Sequence, residues 1–197
     1  MIFPGGVPVR RAERQDLNTI LDVLEDAFQD DPVMRWVTPK ASYARYAFEL
    51  TVPFCLGHAH TDIAVDGSGA ASWLPPGVRL ASPIRPGVVW HGLREYGPTS
   101  LLRGLATLLQ TQKRHPDDDY YYLFTIGALR SARGRGVGSA LMREGLARCD
   151  EARMPAYLES SNVKNLSFYR KHGFEVIDEL ELAMNGPTLW LMWRPAR

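Results

Sequence analysis

The sequence predicts a single α/β domain. Its 197 residues fit one domain that is long enough to bury a full core. An aromatic and β-branched run at residues 120–128 predicts a buried strand, which a glycine-rich loop and an amphipathic helix follow. A second signal, at residues 62–74, has Asp66-Gly67 at its centre and predicts a β-hairpin. Strands and helices therefore alternate within one domain.

The composition limits the classes of partner. Hydrophobic residues make up 45% of the chain and charged residues 23%, as in ordinary globular proteins. The net charge of +1 argues against nucleic acid or an anionic membrane as the main partner. No apolar run approaches the ~18 residues that a membrane span requires, and residues 1–8 lack the pattern of a signal peptide. We therefore expect a cytoplasmic protein with neither nucleic-acid nor membrane partners.

The two cysteines fit that expectation. Cys55 and Cys149 cannot form the disulfide framework of a small secreted domain. Each is expected to be a small buried hydrophobic residue in a reducing compartment rather than a catalytic thiol.

The first third of the chain predicts one strand and two helices. Residues 7–11 predict a short strand, and apolar residues at helical spacing begin after Asp16, a residue type that favours a helix N-cap. Pro32 ends this helix, since proline and the residue before it resist the α conformation. A second helix is predicted at residues 42–56, and Pro53 is expected to kink or end it.

Residues 82–119 are the least regular part of the sequence. Two helices are predicted there, at residues 88–96 and 100–114, separated by Gly97-Pro98. One interpretation is a helical pair that covers an edge of the sheet, and another is a homodimer surface. The leucines that would form such a surface are Leu101, Leu102, Leu105, Leu108 and Leu109.

The glycine loop predicts an anion site. Gly134, Gly136 and Gly138 precede the helix, and free N–H groups at a helix N-terminus attract negative charge. Glycines let a phosphate approach the backbone because they have no Cβ. Arg133 and Arg135 add guanidinium donors that suit phosphate oxygens.

The spacing of the loop excludes two common phosphate sites. No Gly-Lys-Ser/Thr follows it, so an ATP-type phosphate loop would lack its lysine and its magnesium ligand. The dinucleotide pattern G-x-G-x-x-G fails at Ser139. A methyltransferase order, with a strand, G-x-G-x-G, a helix and a strand ending in Glu159, stays open. In that fold the strand runs almost directly into the first glycine, whereas residues 129–133 intervene here.

The remaining pattern, Arg133-x-x-Gly136-x-Gly138, resembles the pyrophosphate-binding segment of the GCN5-related N-acetyltransferases, Gln/Arg-x-x-Gly-x-Gly/Ala. The resemblance implies that backbone amides of this loop bind the pyrophosphate of coenzyme A. The positions concerned are Arg133, Gly134, Arg135, Gly136, Val137, Gly138 and Ser139. It also implies that the preceding strand holds the pantetheine arm, at Ile126, Ala128 and Leu129.

A second motif of the same family lies downstream. Asn165-x-x-x-Tyr169 followed by Gly173-Phe174 is similar to the family's Asn-x-x-x-Tyr helix and the strand after it. By this resemblance Asn165 touches the coenzyme and Tyr169 is the general acid for the leaving thiolate. A phenol with a pKa near 10 is a proton donor at neutral pH. Residues 187–195 also resemble the puromycin N-acetyltransferase-like branch.

Together these resemblances imply a fold and an activity. The expected fold is a mixed, mostly antiparallel sheet around an acyl-CoA cleft, in one domain spanning residues 1–197, with residues 82–119 as an insertion beside the acceptor. The expected reaction moves acetyl from acetyl-CoA directly to a primary amine of a small molecule. A non-catalytic acyl-CoA-binding protein and a protein amine acetyltransferase remain alternatives.

The residue that takes the amine proton is less determined. Glu159, near the end of its strand, is the first candidate, and a purely structural carboxylate is the alternative. His91 is a second candidate for the base. No metal is expected, because the adjacent carboxylates of residues 117–119 point in different directions and no further ligand stands at suitable spacing.

Overall fold

A computed structural model describes residues 6–80 and 86–197. The expectations for residues 1–5, and the start of the predicted insertion at residues 82–85, lie outside the described residues. Within those ranges, seven strands form one sheet in the order β1-β2-β3-β4-β5-β7-β6. The strands are β1 (Val9–Arg11), β2 (His60–Ala64), β3 (Gly69–Leu74), β4 (Tyr121–Ala128), β5 (Ala156–Ser160), β6 (Glu175–Glu181) and β7 (Thr188–Arg194).

Among the described strands, β4 and β5 form a parallel pair in a sheet that is otherwise antiparallel. Every other pair of neighbouring strands is antiparallel, and β4 pairs with β5 in parallel only at Tyr121↔Ala156 and Tyr122↔Tyr157. Strand β4 then continues to Ala128, and no strand of the described ranges pairs with it on that side, so a gap opens between β4 and β5. The mixed, mostly antiparallel sheet is confirmed, and the parallel sheet of a methyltransferase is excluded.

The helices pack on both faces of the sheet. They are α1 (Leu17–Phe28), α2 (Pro32–Val37), α3 (Tyr43–His58), α4 (Pro86–Gln112), α5 (Val137–Glu151) and α6 (Leu166–Lys171). One core cluster joins α5 and α6 to the strands, and another joins α1 and α3 to them. Val137 and Leu141 are buried in the first cluster, which fixes the N-terminal end of α5 beside the sheet.

Pro53 and Pro98 have different effects on the helices that contain them. Pro53 lies inside α3, but the helix continues to His58, so Pro53 does not end it. Its neighbours Val52 and Cys55 are fully buried, and this packing outweighs the hydrogen bond that proline cannot make. In α4 the backbone of Gly97 is non-helical, at φ 82° and ψ 168°, just before Pro98. This break confirms the prediction of two helices.

The second half of α4 exposes several leucines. Leu102 is 59% exposed, and Leu105 and Leu109 are each 49% exposed. The homodimer surface stays a prediction. In the described part of the chain, no helix is both long and apolar enough to cross a bilayer.

Candidate active site

The edge of β4 presents free backbone groups to the gap. The N–H of Leu129 donates to the Ser68 carbonyl oxygen at 2.9 Å, on the β3 side. Successive residues of an extended strand direct their backbone groups to opposite sides. The N–H and C=O groups of Ile126 and Ala128 therefore face the gap, while the Leu129 N–H is already used within the sheet.

The glycine loop adopts the backbone that only glycine accepts readily. Gly134 has φ 78° and Gly136 has φ 83°, both in the left-handed region. A Cβ at either position would meet no atom within 4 Å, so the space above the loop is open. Arg133 and Arg135 are exposed on the same loop. The loop is therefore accessible to an anion.

The first turn of α5 presents free backbone N–H groups. Among the residues that the structure describes, four consecutive backbone N–H groups have no hydrogen-bond partner; they belong to Gly136, Val137, Gly138 and Ser139. Such a row at a helix N-terminus binds phosphate oxygens through hydrogen bonds and the helix dipole. The residues present fit the pyrophosphate of coenzyme A.

A cavity of about 670 Å³ lies beside the region where β4 and β5 separate. Tyr122 and Phe124 of β4 and Glu159 of β5 line it. Gly104 and Thr107 line it from the second half of α4. The helical segment that interrupts the strand order thus forms part of the wall of this cavity.

Glu159 is at the centre of a hydrogen-bond network. Tyr122 donates to Glu159 Oε2 at 2.5 Å, and Tyr157 donates to Oε1 at 3.2 Å. His115 Nε2 lies 3.0 Å from the same Oε1, and the Tyr120 hydroxyl lies 2.8 Å from His115 Nδ1. The Glu159 side chain is only 9% exposed. One carboxylate therefore organises an imidazole and three phenols.

The phenols of this network stay neutral. Burial, with a further contribution from the Glu159 charge, raises the pKa of Tyr120 to about 12. The same two causes raise the pKa of Tyr122 and of Tyr157 well above the usual value. The ordinary tyrosine pKa is near 10. All three phenols are therefore hydrogen-bond donors at neutral pH.

Asp31 is a second carboxylate of the cavity. Its Oδ1 accepts hydrogen bonds from the N–H groups of Val33 (2.9 Å) and Met34 (3.0 Å), which caps α2. Its Oδ2 accepts from the Ser161 hydroxyl. Burial raises the pKa of Asp31 despite these three bonds. The Asp31-Pro32 pair that ends the first predicted helix thus begins the next one.

Tyr169 is near enough to Asp31 for that charge to act on its phenol, but it is not among the residues that line the cavity. Its ring packs against Phe168 and Phe174, and the residue is 8% exposed. Burial raises the pKa of its phenol, and the Asp31 charge adds to the effect. Within residues 6–80 and 86–197, its hydroxyl has no hydrogen-bond partner. Asn165 is exposed at the start of α6, one turn earlier.

The cavity wall is rich in carboxylates. The acidic residues that line it are Asp31, Asp117, Asp118, Asp119 and Glu159. The arginine and the lysine in the same wall are Arg79 and Lys113. An excess of carboxylates raises the local concentration of cations. In the described chain, no group of three His, Cys, Asp or Glu side chains is placed to hold a metal ion.

The structure favours a different histidine, His115, from the His91 that the sequence suggests as a base. His91 is exposed and packs against Tyr46, at a ring distance of 5.5 Å, and it is not part of the cavity wall. His115 lies in the wall beside Glu159. No motif marks His115 in the sequence. It reaches Glu159 because it precedes β4, whose first residues pair with β5.

The model of the acetyltransferase (GNAT) family matches residues 73–174, just over half of the chain. The chain belongs to this family, and it is an acetyltransferase. An uncharacterised N-acetyltransferase of Schizosaccharomyces pombe is 26% identical over 84% of this chain and 73% of its own length.

Two solved structures share the fold. A Corynebacterium glutamicum protein described as histone acetyltransferase HPA2 and related acetyltransferase is 28% identical, with a TM-score of 0.72 over 96% of both chains. A mosquito arylalkylamine N-acetyltransferase like 5b is 13% identical, with a TM-score of 0.64 over 95% of this chain and 98% of its own.

Proposed function

We propose that this protein transfers acetyl from acetyl-CoA to the primary amine of a small molecule, directly and within a ternary complex. The observation that carries the proposal is the gap between β4 and β5. It joins the unpartnered amides at the start of α5 to the acidic cavity. The thioester of acetyl-CoA, on a pantetheine arm that reaches from the α5 side, would meet a cationic acceptor there.

Each group along this path has a chemical task. The α5 amides bind the pyrophosphate, and the gap-facing backbone of Ile126 and Ala128 orients the pantetheine arm. Acetyl-CoA supplies the activated thioester when it is bound. Tyr169 gives its proton to the departing thiolate, since a buried phenol without a hydrogen-bond partner is a neutral donor.

The amine proton leaves on the other side of the gap. Glu159 and His115 line the acceptor cavity 3.0 Å apart and form a set of groups that can accept it. Asp31 and the exposed turn at residues 117–119 attract the ammonium form of the acceptor. Binding the cation and removing its proton thus occur in one cavity.

The size of the cavity supports a small acceptor. Gly104 and Thr107 of α4 close one side of a space of about 670 Å³. This volume is within the range of small-molecule sites. The arylalkylamine acetyltransferase with the same fold is named for a small amine acceptor. A lysine on a folded protein would have to reach past α4.

The coenzyme site is tested by calorimetric titration of acetyl-CoA and CoA into Gly138→Asp and Ala147→Asp variants. Both substitutions add one negative charge to α5, but Ala147 is exposed in the second half of the helix. An aspartate at position 138 favours the helix N-terminus while repelling pyrophosphate. Its Cβ would lie 3.5 Å from the Phe168 ring, an ordinary contact.

We expect the wild type and Ala147→Asp to bind both ligands and Gly138→Asp to bind neither. Equal binding by both variants would contradict the placement of the pyrophosphate. The acceptor class is tested by thiol release with tryptamine, putrescine and a lysine-containing histone-tail peptide. Faster turnover of the peptide than of both small amines would contradict a small-molecule acceptor. A bound coenzyme without any turnover would favour a non-catalytic binder.

A further inference from the structure

We propose that the proton of the acceptor amine passes through the Tyr120 hydroxyl to Nδ1 of His115, and that Glu159 is the fixed counter-charge of the imidazolium that forms. This inference rests on the proposed acetyl transfer and assigns its base. In this scheme His115, and not Glu159, takes up the proton, and Glu159 orients the His115 ring.

The two groups that face the His115 ring nitrogens, Glu159 and Tyr120, determine its tautomer. An ionised carboxylate only accepts hydrogen bonds, so the Nε2 that faces Glu159 at 3.0 Å carries the hydrogen. Nδ1 is then the basic nitrogen, and it accepts the hydroxyl hydrogen of Tyr120 at 2.8 Å. The imidazole therefore holds its free electron pair toward Tyr120, and both residues line the cavity.

Both oxygens of Glu159 are engaged by neighbouring groups. Tyr122 and Tyr157 donate hydrogen bonds to its two oxygens, and His115 Nε2 lies 3.0 Å from Oε1. Hydrogen bonds donated to the charged form of a carboxylate favour that form. Both oxygens of Glu159 already accept a hydrogen bond from a neutral phenol. The carboxylate is therefore better arranged to stabilise a neighbouring cation than to accept a proton.

The transfer balances without any further reactant. The ammonium N–H bond breaks and its proton bonds to the Tyr120 oxygen, while the Tyr120 hydrogen moves to His115 Nδ1. The products are a neutral amine, an intact phenol and an imidazolium whose Nε2–H faces Glu159. Tyr120 never becomes a free phenolate, in agreement with a pKa that burial raises to about 12.

Charged groups from several elements act on this pair. Glu159 lies 3.0 Å from His115, and Asp31 and the acidic turn at residues 117–119 line the same cavity. Asp178 acts on Tyr157, but it is also paired with Arg114 at 2.6 Å. Arg79 acts on Tyr120 in the opposite sense, and Lys113 lies in the same wall. The neutral phenols of Tyr122 and Tyr157 complete the surroundings. The two main variants of the kinetic test, His115→Gln and Tyr120→Phe, therefore leave all these charges in place.

The kinetic test uses His115→Gln and Tyr120→Phe, measured as kcat/KM against pH with a small amine acceptor. Loss of a positioned proton acceptor lowers the rate by about 100-fold or more. Both variants should show this loss with an unchanged KM for acetyl-CoA. In the wild type the rate should fall at low pH, because a proton acceptor has to be unprotonated at the start of the transfer. In His115→Gln that limb should instead follow the ionisation of the free amine.

Matched controls are available beside the pair. Tyr121→Phe removes a hydroxyl from the adjacent β4 residue, which is not part of the cavity wall, and His91→Gln removes an exposed imidazole. Both should keep the wild-type rate and pH profile. If His115→Gln and Tyr120→Phe also keep them while Glu159→Gln is inactive, the amine proton goes directly to Glu159 and the proposal is wrong.

A second measurement does not depend on turnover. Nitrogen-15 correlation spectra of the imidazole side chains in the full-length protein should show neutral His115 protonated on Nε2, and Tyr120→Phe should shift Nδ1. A hydrogen on Nδ1 would overturn the proposal even in an active enzyme. Acetyl-CoA binding without turnover of any amine would instead refute the proposed function, and the proton path with it.

Discussion

Trp73 occupies the space that a side chain at position 145 would need. A Cβ built on Gly145 would lie 2.1 Å from Nε1 of the Trp73 indole and 2.2 Å from Cε2. Trp73 belongs to β3 and is fully buried, so its ring cannot swing aside. The close approach of α5 to the sheet therefore depends on this glycine, and it sets where the amides at the start of α5, the proposed pyrophosphate site, lie.

Gly145→Ala should lower the stability of the protein. Alanine gains about 1 kcal/mol over glycine in a helix, but overpacking a close-packed core costs about 1–3 kcal/mol, and more for severe contacts. We expect a net loss of roughly 2 kcal/mol, or a fall in Tm of about 4–8 °C at this chain length. Gly57→Ala in α3 is the control, because a Cβ there meets no atom within 4 Å. A Tm of Gly145→Ala at or above that of the wild type would contradict the packing argument.

Tyr169→Phe should separate catalysis from stability. Removal of the proposed general acid is expected to lower kcat by about 100-fold with an unchanged KM for acetyl-CoA. The Tm should not fall, since the hydroxyl is without a hydrogen-bond partner in the described residues and the ring contacts remain. Burial raises the pKa of this phenol, so the group stays protonated and the acid function persists to alkaline pH. Full activity of Tyr169→Phe would refute the role.

The two thiols should be inert in the folded protein. Burial raises the pKa of Cys55 and of Cys149 to about 12. Because the pKa is raised, the thiolate is scarce below pH 12, and its fraction at pH 8 is about 10⁻⁴. Ellman's reagent at pH 8 should find no reactive thiol in the native protein and two after unfolding. A rapid reaction in the native state would show that one cysteine is accessible.

The acidic turn should contribute to acceptor binding through its charge. Replacing Asp117, Asp118 and Asp119 by asparagine should raise KM for a monoamine several-fold at low salt and leave kcat unchanged. The difference should shrink at high salt, since exposed charges are screened beyond about 10 Å at 0.1 M. The control removes three exposed carboxylates from β6, at Glu175, Glu179 and Glu181. Equal KM values for the two triple variants would mean that the turn has no specific effect on the acceptor.

Local signals were sufficient for much of the fold. The hairpin at residues 62–74 follows from Asp66-Gly67. Gly67 has φ 72°, and its N–H donates a hydrogen bond to the Ala64 carbonyl oxygen. The break at Gly97-Pro98 follows from the backbone that these two residue types favour. Pro53 is different, because burial of its neighbours keeps α3 continuous and no local rule measures burial.

The sequence by itself determined the coenzyme half of the proposed site. The strand, the glycine loop and the start of α5 are consecutive in the chain, so residue type and spacing were enough to predict them. The acceptor half was decided by the tertiary structure. His115 and Glu159 are far apart in the chain and meet because β4 and β5 pair at Tyr121 and Tyr122 before they separate. Contacts across a sheet depend on strand order and register, which a local pattern of residues does not contain.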